Sequence, residues 1–396
     1  YFTSDKLEAY GNGNMLKGGL VYADRITTVS RSYASEIRMP FYGEGLDGLL
    51  RARSKQLSGI VNGIDYNVYN PKTDKDIAVN YSVEDVIKAK AANKTALQKE
   101  LGLEENPDAF MLGIVSRLTD QKGLDLVECV LDQICAEDVQ LVVLGTGEGK
   151  YQDMFTYYSR KYPERVSANI FYSEALSHRI YASCDAFLMP SLFEPCGLSQ
   201  LMSLRYGTLP IVRETGGLRD TVTPYNEVDG TGTGFSFTNY NAHEMLAIIR
   251  YAKKTYFNDR RAWNEMVLRA MKQDFSWDAS AREYEKLYDG LIEEEARRKE
   301  AIRLQQAREA AEAALKEAEK ALELAKRAEE KAIRKFSGIE DEQEDEKIKT
   351  AEAPEEDLEA EGSEPEEVSE TPEAAPEPDE ALEVSETSET SVKAKE

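Results

Sequence analysis

Five short apolar runs alternate with helix-length segments between Phe110 and Phe237, and this alternation limits the folds open to the chain. The runs are MLGIVSR at 111–117, VQLVVLG at 139–145, VSANIFY at 166–172, AFLMP at 186–190 and LPIVR at 209–213. Strands that are nearly all apolar and separated by helices predict a parallel sheet covered on both faces. We therefore expect an α/β fold with a doubly wound, Rossmann-like domain that binds its ligand at the carboxyl ends of the strands.

The negative charge of the chain is concentrated near its end. Residues 340–396 carry 24 Asp and Glu against 4 Lys and Arg, a balance of −20 out of a net charge of −25. This Pro-, Ser- and Thr-rich stretch lacks the apolar residues that offset the entropy of ordering, so 337–396 is predicted to be a disordered acidic tail. The same acidity argues against nucleic acid or an anionic membrane as a partner. No apolar run approaches the roughly 18 residues of a membrane span.

Cysteine and histidine usage predicts neither disulfides nor a zinc site. Cys129, Cys135, Cys184 and Cys196 show no CxxC spacing, and His178 and His243 complete no ligand pattern with them. Reduced cysteines fit a bacterial cytoplasm, with a plastid as the alternative. Asp74-Lys75-Asp76 matches Asp-x-Asp literally, but it follows a turn at Asn70 and Pro71 and is interpreted as a solvated linker. We therefore expect no metal and no cofactor.

Segments on either side of the sheet complete the predicted organisation. Residues 16–30 read as a helix followed by a strand, and 58–71 as a strand that ends in a turn. So few elements cannot close a core, which predicts a remnant of a larger N-terminal domain whose beginning is missing. The predicted domains are the remnant at 1–60, the Rossmann-like domain at 61–275, a helix returning to the N-terminal domain at 276–296, a long charged helix at 297–336 and the tail at 337–396.

The long helix carries a stripe of small residues. Leu304 begins a series spaced alternately by three and four that continues with Ala307, Ala311, Ala314, Ala318, Ala321, Ala325, Ala328 and Ala332. This spacing is a heptad seam, and alanine makes it a weak one. Two interpretations stay open: self-association as a coiled coil through residues 300–335, or a solvated single helix held by Glu and Lys pairs.

Charged residues follow two of the predicted strands. Arg117 ends the first strand and Lys122 follows five residues later, so two positive charges beside a helix start are placed to bind a diphosphate. Glu194 follows the fourth strand, where a carboxylate suits sugar hydroxyls or the positive charge that develops at an anomeric carbon. The alternatives are ordinary solvated loop charges and an N-cap acid.

Further candidates lie at neighbouring strand ends. Thr215, Gly216 and Gly217 form a second glycine turn one strand after Glu194, and the paired turns predict a cradle for a nucleotide sugar. Tyr172 is a candidate for stacking on a nucleobase, although a half-buried structural tyrosine is the commoner case. His178 has no partner acid at motif spacing and is interpreted as a surface or packing residue.

Six longer stretches occur in a characteristic order: LKGGLVYAD at 16–24, VNGID at 61–65, SRLTDQKGLDL at 116–126, SHRIYASCD at 177–185, PSLFEPCGLSQL at 190–201 and RETGGLRDTV at 213–222. Over residues 1 to about 295 the chain resembles the bacterial glycogen synthases and plant starch synthases. The resemblance implies a GT-B fold with two facing Rossmann-like domains. It also implies transfer of glucose from ADP-glucose to the non-reducing end of an α-1,4-glucan, with retention and without a metal.

The resemblance also implies roles for individual residues. Arg117 and Lys122 would bind the donor phosphates, Glu194 would act near the donor glucose as an electrostatic stabiliser, and Tyr172 would pack on the adenine. The remaining substrate-binding residues would be Cys196, Gly197, Leu198, Ser199, Thr215, Gly216 and Gly217, with the backbone N–H groups around Leu198 and Ser199 holding the distal phosphate. Cys196 is explained equally well as a small buried side chain.

The chain departs from the family pattern at its beginning. Family members start with a Lys-x-Gly-Gly-Leu motif, which Lys17 to Leu20 resemble by letters only. We therefore expect weak binding of ADP or ADP-glucose and negligible turnover by this chain, in contrast to an active full-length parent. Two alternatives stay open: another GT-B transferase that uses a UDP-sugar, and a non-catalytic scaffold associated with glucan.

Overall fold

A computed structural model describes residues 2–338 of the chain. The first elements of the chain are short. They are β1 (Glu8–Ala9), β2 (Asn12–Gly13), α1 (Met15–Tyr22), β3 (Ile26–Thr28), α2 (Arg31–Glu36), α3 (Pro40–Gly43), α4 (Asp47–Ala52) and β4 (Leu57–Gly59). β1 and β2 form an antiparallel hairpin, and β3 pairs with β4 in parallel. The helix and strand predicted within 16–30 are α1 and β3.

The central part of the chain alternates helices and strands, as the apolar runs predict. Its elements are α5 (Val86–Leu101), β5 (Phe110–Val115), α6 (Leu124–Ala136), β6 (Val139–Leu144), α7 (Gly149–Lys161), β7 (Val166–Asn169), α8 (Glu174–Ser183), β8 (Ala186–Met189), α9 (Ser199–Arg205), β9 (Leu209–Arg213), α10 (Gly216–Thr221), β10 (Phe235–Phe237), α11 (Ala242–Asn258) and α12 (Arg260–Lys272). Four of the five predicted strands end one to three residues earlier than their apolar runs, because the chain turns out of the sheet there.

Strands β5 to β10 form one parallel sheet in the order β10-β9-β8-β5-β6-β7. The chain proceeds from β5 outward to β6 and β7 and then returns to place β8 on the other side of β5. The direction of strand order therefore reverses between β5 and β8. In doubly wound sheets, ligands bind at the carboxyl ends of the strands beside such a reversal.

The core lies on both faces of this sheet. Every residue of β6 and β8 is buried, as are five of the six residues of β5. One cluster of apolar side chains on these strands packs against α6 and α11, and Trp263 of α12 closes it by contacting the rings of Phe110 and Phe235. The doubly wound architecture predicted from the apolar runs is confirmed.

The last described element, α13 (Trp277–Phe336), is a single helix of 60 residues. Near its start the Ser280 hydroxyl donates to the carbonyl of Val61 at 2.8 Å, and farther along Glu294 forms an ion pair with Arg25. Residues 292–338 are all exposed, including the alanines of the predicted seam. One compact unit of the chain ends at Arg303 and a second begins at Leu304, within this helix.

Some predictions lie beyond what these elements test. The predicted domain limits, including the division of the long helix at 296, stay predictions. The predicted acidic tail lies outside the described residues except for Ser337 and Gly338. Among the described helices, none has a stretch that is long and apolar enough to cross a membrane.

Candidate functional site

Loops that follow β5, β8 and β9 meet where the strand order reverses. The Leu192 N–H donates to the carbonyl of Gln121 at 2.9 Å, which joins the loop after β8 to the loop after β5. The Gly217 N–H donates to the carbonyl of Glu194 at 3.0 Å, which joins the start of α10 to the same loop. The sheet therefore brings together the three predicted groups of site residues, although they are far apart in sequence.

Glu194 and Lys122 form an ion pair at the centre of these loops. The Lys122 ammonium lies 2.6 Å from Oε2 of Glu194, and the Ser191 hydroxyl donates to the same oxygen at 3.1 Å. The Glu194 side chain is 8% exposed and that of Lys122 is 16% exposed. An ammonium group has three N–H donors, and this is its only hydrogen bond in the described chain. Lys122 can therefore hold Glu194 and a ligand oxygen at once.

Arg117 lies on the exposed side of the same site. Its guanidinium makes one long hydrogen bond, at 3.4 Å to the Gln121 side chain, within the part of the chain that the structure describes. A guanidinium has five donors arranged in a fork that matches phosphate geometry. Arg117 and Lys122 thus place two positive groups beside the strand reversal, as the sequence predicts.

A cavity of about 360 Å³ adjoins Arg117. It contains Arg117, Tyr172, Leu198 and Ser199 of the predicted site, and its further lining includes Tyr69, Ser116, Gly145, Thr146, Phe171, Glu174, Ser177 and Met202. Tyr172 follows β7 by three residues and is 85% exposed, so the half-buried structural interpretation of this tyrosine is wrong. The volume of the cavity falls in the range of small-molecule sites, which typically measure about 300–1,000 Å³.

Residues 196–199 form the turn into α9. Gly197 has a φ of +71°, a conformation that favours glycine, and the Gln200 side chain donates to the carbonyls of Cys196 and Gly197 at 2.9 Å each. The N–H groups of Leu198 and Ser199 make no hydrogen bond within the described residues, as expected for the start of a helix. These two N–H groups remain available to a ligand.

Cys196 is a buried side chain in this turn. Burial raises the pKa of its thiol to about 11. A thiol with this pKa is protonated near neutral pH and is a poor nucleophile. The interpretation of Cys196 as a packing residue is therefore the one that its surroundings favour.

Thr215, Gly216 and Gly217 lie behind the Glu194 loop and are buried. Glu36 of α2 accepts hydrogen bonds from the Thr215 hydroxyl at 3.0 Å and from the Gly216 N–H at 2.8 Å. A Cβ on Gly216 would lie 1.9 Å from the carbonyl oxygen of Glu194, so only glycine permits this approach. In this structure the second glycine turn supports Glu194, and its polar groups already have protein partners.

Sequence reasoning missed the contact between α2 and α10. Asp220, near the end of α10, accepts hydrogen bonds from the N–H groups of Arg31 and Ser32 at 2.6 and 3.0 Å, while Glu36 binds the start of α10. Each helix thus presents a carboxylate to the N-terminus of the other, where the helix dipole favours negative charge. No local pattern predicts this contact, because its partners lie about 180 residues apart.

The interpretation of Asp74 as part of a solvated linker is wrong. Asp74 is buried and not part of a solvated linker: Nδ1 of His178 lies 2.7 Å from its Oδ2, and the Tyr206 hydroxyl donates to the same oxygen. Burial alone would raise the pKa of Asp74, but the hydrogen bonds from His178 and Tyr206 outweigh it and lower the pKa. His178 therefore has an acidic partner after all, 104 residues away, while its predicted packing role is confirmed.

Asp74, Asp76 and His178 hold ligand atoms within 4.8 Å of one another. Oδ2 of Asp74 already accepts two hydrogen bonds, and its Oδ1 accepts one from the Asp76 N–H at 2.9 Å. The hydrogen bonds account for this cluster without a metal.

The Gly145-Thr146-Gly147 turn is a sequence signal for this site in addition to the predicted residues. It follows β6 directly, and Gly145 and Thr146 line the cavity. A glycine-rich turn at the carboxyl end of a parallel strand is a typical ligand-binding feature. By contrast, no sequence signal points to Tyr69, which reaches the cavity from the linker between β4 and α5.

Two family descriptions match the chain. Residues 95–267 match "Glycosyl transferases group 1", and residues 1–52 match "Starch synthase catalytic domain". The chain is 71% identical to the glycogen synthase of Lachnospira eligens and 65% identical to that of Lachnoclostridium phytofermentans, each over 291 residues. These residues are 74% of this chain and 61% of each relative.

A solved structure shows the same fold. The catalytic domain of starch synthase IV from Arabidopsis thaliana, bound to ADP and acarbose, superposes with a TM-score of 0.68 at 35% identity, covering 72% of this chain and 60% of that one. The expected GT-B fold is thereby confirmed, and the chain spans about three fifths of the length of the relatives that it matches. By its motifs, its strand order and these similarities, the chain resembles the glycogen and starch synthases over the residues that match them.

Proposed function

We propose that this chain carries the donor-binding half of a retaining glucosyltransferase. In the proposed reaction, glucose passes from ADP-glucose to the non-reducing end of an α-1,4-glucan. The observation that carries the proposal is the Lys122–Glu194 pair, which lies with Arg117 at the strand reversal beside the cavity of Tyr172. The ADP bound to the related starch synthase IV supports an adenine nucleotide as the donor.

The proposed roles follow from charge and position. Arg117 and Lys122 bind the diphosphate and stabilise the negative charge that it gains as the bond to glucose breaks. Glu194 faces the anomeric carbon and stabilises the positive charge that develops there. The N–H groups of Leu198 and Ser199 hold the distal phosphate, and Tyr172 packs on the adenine. The two fixed cations meet the diphosphate charge, so the proposal includes no metal and no cofactor.

We propose that the acceptor side of the cleft is completed by polypeptide that this sequence does not contain. β3 and β4 form a parallel sheet of only two three-residue strands, which is too small to be stable alone. Large apolar side chains are exposed nearby, namely Phe2, Tyr10, Met15, Leu16, Tyr22, Met39 and Phe41. Exposed apolar surface of this kind marks an interaction site. The chain alone should therefore turn over negligibly.

A chimera tests this proposal. The unmatched N-terminal portion of the Lachnospira eligens glycogen synthase would be joined to this chain, and transfer of radiolabelled glucose to glycogen would be measured with ADP-glucose and with UDP-glucose. We expect turnover with ADP-glucose by the chimera and negligible turnover by the chain alone. Glu194→Gln in the chimera should reduce turnover by about a hundredfold or more. Asp138→Asn, which alters an exposed residue far from the site, should leave turnover unchanged.

Other outcomes of this experiment would contradict the proposal. Family-like turnover by the chain alone would contradict the half-site. A chimera that prefers UDP-glucose would favour the other GT-B transferase. A folded chimera that is inert with both donors would favour the non-catalytic scaffold.

We further propose that α13 mediates self-association through residues 300–335. Its seam alanines are exposed along the whole segment, which supports a partner helix. The glycogen synthases that the chain resembles come from bacteria, which supports a bacterial cytoplasm as the compartment over a plastid.

A further inference from the structure

Tyr69 is a second aromatic residue of the cavity that contains Tyr172. It ends a turn in which its N–H donates to the Asp65 carbonyl at 2.8 Å. Glu174 also lines this cavity, and the pKa of Tyr69 is raised by burial first and then by Glu174 and Tyr172. The two tyrosines thus approach the cavity from different parts of the chain, Tyr69 from the linker and Tyr172 from the loop after β7.

The ring of His178 packs on one face of the Tyr69 ring. The two rings stack with centroids 4.9 Å apart and planes at 27°. His178 is 3% exposed and is itself held by Asp74, whose carboxylate also accepts from Tyr206. Nε2 of His178 is buried without a hydrogen-bond partner among the described residues. The imidazole is therefore held through Nδ1, which lies 2.7 Å from Asp74 and 3.4 Å from the Tyr206 hydroxyl, and by its packing on Tyr69 and Tyr206.

We propose that Tyr69 is a specificity-determining residue that forms a second wall of the nucleobase end of the cavity. His178, held by Asp74, is the positioning residue that keeps its ring in place. A purine has a larger π-face than a pyrimidine and can contact both tyrosine rings, so the pair favours a purine nucleoside diphosphate. The inference rests on the proposed function, because it assumes that the cavity takes the nucleoside of the donor.

Calorimetry on this chain with ADP, UDP and inorganic pyrophosphate tests the inference. Removal of a stacking ring lowers the affinity for a base by roughly tenfold. Tyr69→Leu should therefore weaken ADP binding roughly tenfold, weaken UDP binding less and leave pyrophosphate binding unchanged. Tyr69→Phe should bind all three ligands as the wild type does, because it keeps the ring and loses only the hydroxyl.

If His178 positions Tyr69, its removal should also weaken binding of the base without weakening binding of the diphosphate. His178→Leu should weaken ADP binding and leave pyrophosphate binding unchanged, which a general loss of structure would not do. Tyr157→Leu is the matched control, because Tyr157 is an exposed tyrosine on α7 outside the cavity. Urea unfolding of each variant shows whether it is folded under the binding conditions.

Three outcomes would overturn the inference. ADP binding by Tyr69→Leu that equals wild-type binding overturns it and leaves the proposed function standing. An equal loss of ADP and pyrophosphate binding in Tyr69→Leu or Tyr69→Phe assigns Tyr69 a structural role. A wild-type chain that binds none of the three ligands overturns both the inference and the proposed function.

Discussion

At the scale of single residues, backbone contacts determine how closely the loops around Glu194 approach one another. Gly217 donates its N–H to the Glu194 carbonyl at 3.0 Å, and a Cβ at this position would lie 1.9 Å from the carbonyl oxygen of Cys196. Backbone atoms cannot move aside as a flexible side chain can. The place of Glu194 therefore depends on the absence of a side chain at Gly217, in the first turn of α10.

We expect Gly217→Ala to lower the free energy of unfolding by about 1–3 kcal/mol, because the methyl group forces the two loops apart. Urea denaturation gives the change. Gly149→Ala is the control, since a Cβ there meets no atom within 4 Å and alanine favours the helix. Equal stabilities of the two variants would contradict the close contact between the loops.

Candidate site residues can be predicted from the sequence where a local pattern marks them. The places of Arg117, Lys122 and Glu194 at strand ends could be predicted because apolar runs mark where those strands end. Asp74 could not, because its partners His178 and Tyr206 lie 104 and 132 residues away and only the tertiary fold joins them. A separation of 180 residues likewise hid the contact of Glu36 with the glycine turn at Gly216.

At the scale of elements, α5 and α8 are joined by a buried lysine. The ammonium of Lys90 on α5 donates to the carbonyls of Tyr181 and Ala182 at the end of α8, at 3.3 and 3.1 Å, and to the Thr208 hydroxyl at 2.7 Å. Positive charge at a helix C-terminus interacts favourably with the helix dipole. Lys90 therefore caps α8 from a neighbouring helix.

Lys90 should make stability depend on pH. Burial lowers the pKa of its ammonium from 10.5 to about 7. Between these values the unfolded chain binds more protons than the folded chain, so the free energy of unfolding rises with pH. From pH 7 to about 8.5, we expect the free energy of unfolding of the wild type, measured by urea denaturation, to rise relative to that of Lys90→Met by about 1 kcal/mol per pH unit.

Lys88→Met is the matched control for this pH dependence, because Lys88 is exposed on the same helix. It should keep the wild-type slope. A wild-type slope no steeper than that of Lys90→Met would show that Lys90 keeps its proton throughout this range.

The existence and type of the central elements could be predicted, whereas their contacts could not. Apolar runs identify β5 to β9 because both faces of the sheet are buried, but they include residues that already leave the sheet, such as Tyr172. No sequence pattern shows which lysines of α5 are buried. The fold buries Lys90 and Lys94, and Lys94 pairs with Asp185 at 2.6 Å.

For the molecule as a whole, the open question is whether α13 associates with a second copy of itself. Its exposed face combines the seam alanines with larger side chains such as Leu315 and Leu322. The sequence leaves a coiled coil and a solvated single helix open, because the thin apolar stripe fits both. The proposal of self-association favours the coiled coil.

Analytical ultracentrifugation tests this proposal. We expect the intact chain to sediment as a dimer or larger species and a chain without residues 300–396 to sediment as a monomer, because the seam is then absent. A substitution of seam alanines by glutamate, Ala318→Glu with Ala325→Glu, should have the same effect without a change in length. A monomeric intact chain would favour the solvated single helix.

We propose above all that the loops at the strand reversal bind the diphosphate of an adenine nucleotide. Isothermal calorimetry of the intact chain with ADP, beside Lys122→Ala and with UDP as competitor, tests it most directly. We expect ADP to bind, Lys122→Ala to bind it at least about tenfold more weakly because a phosphate contact is lost, and UDP to compete poorly. ADP binding that is unchanged in Lys122→Ala, or that UDP displaces equally well, would contradict this account.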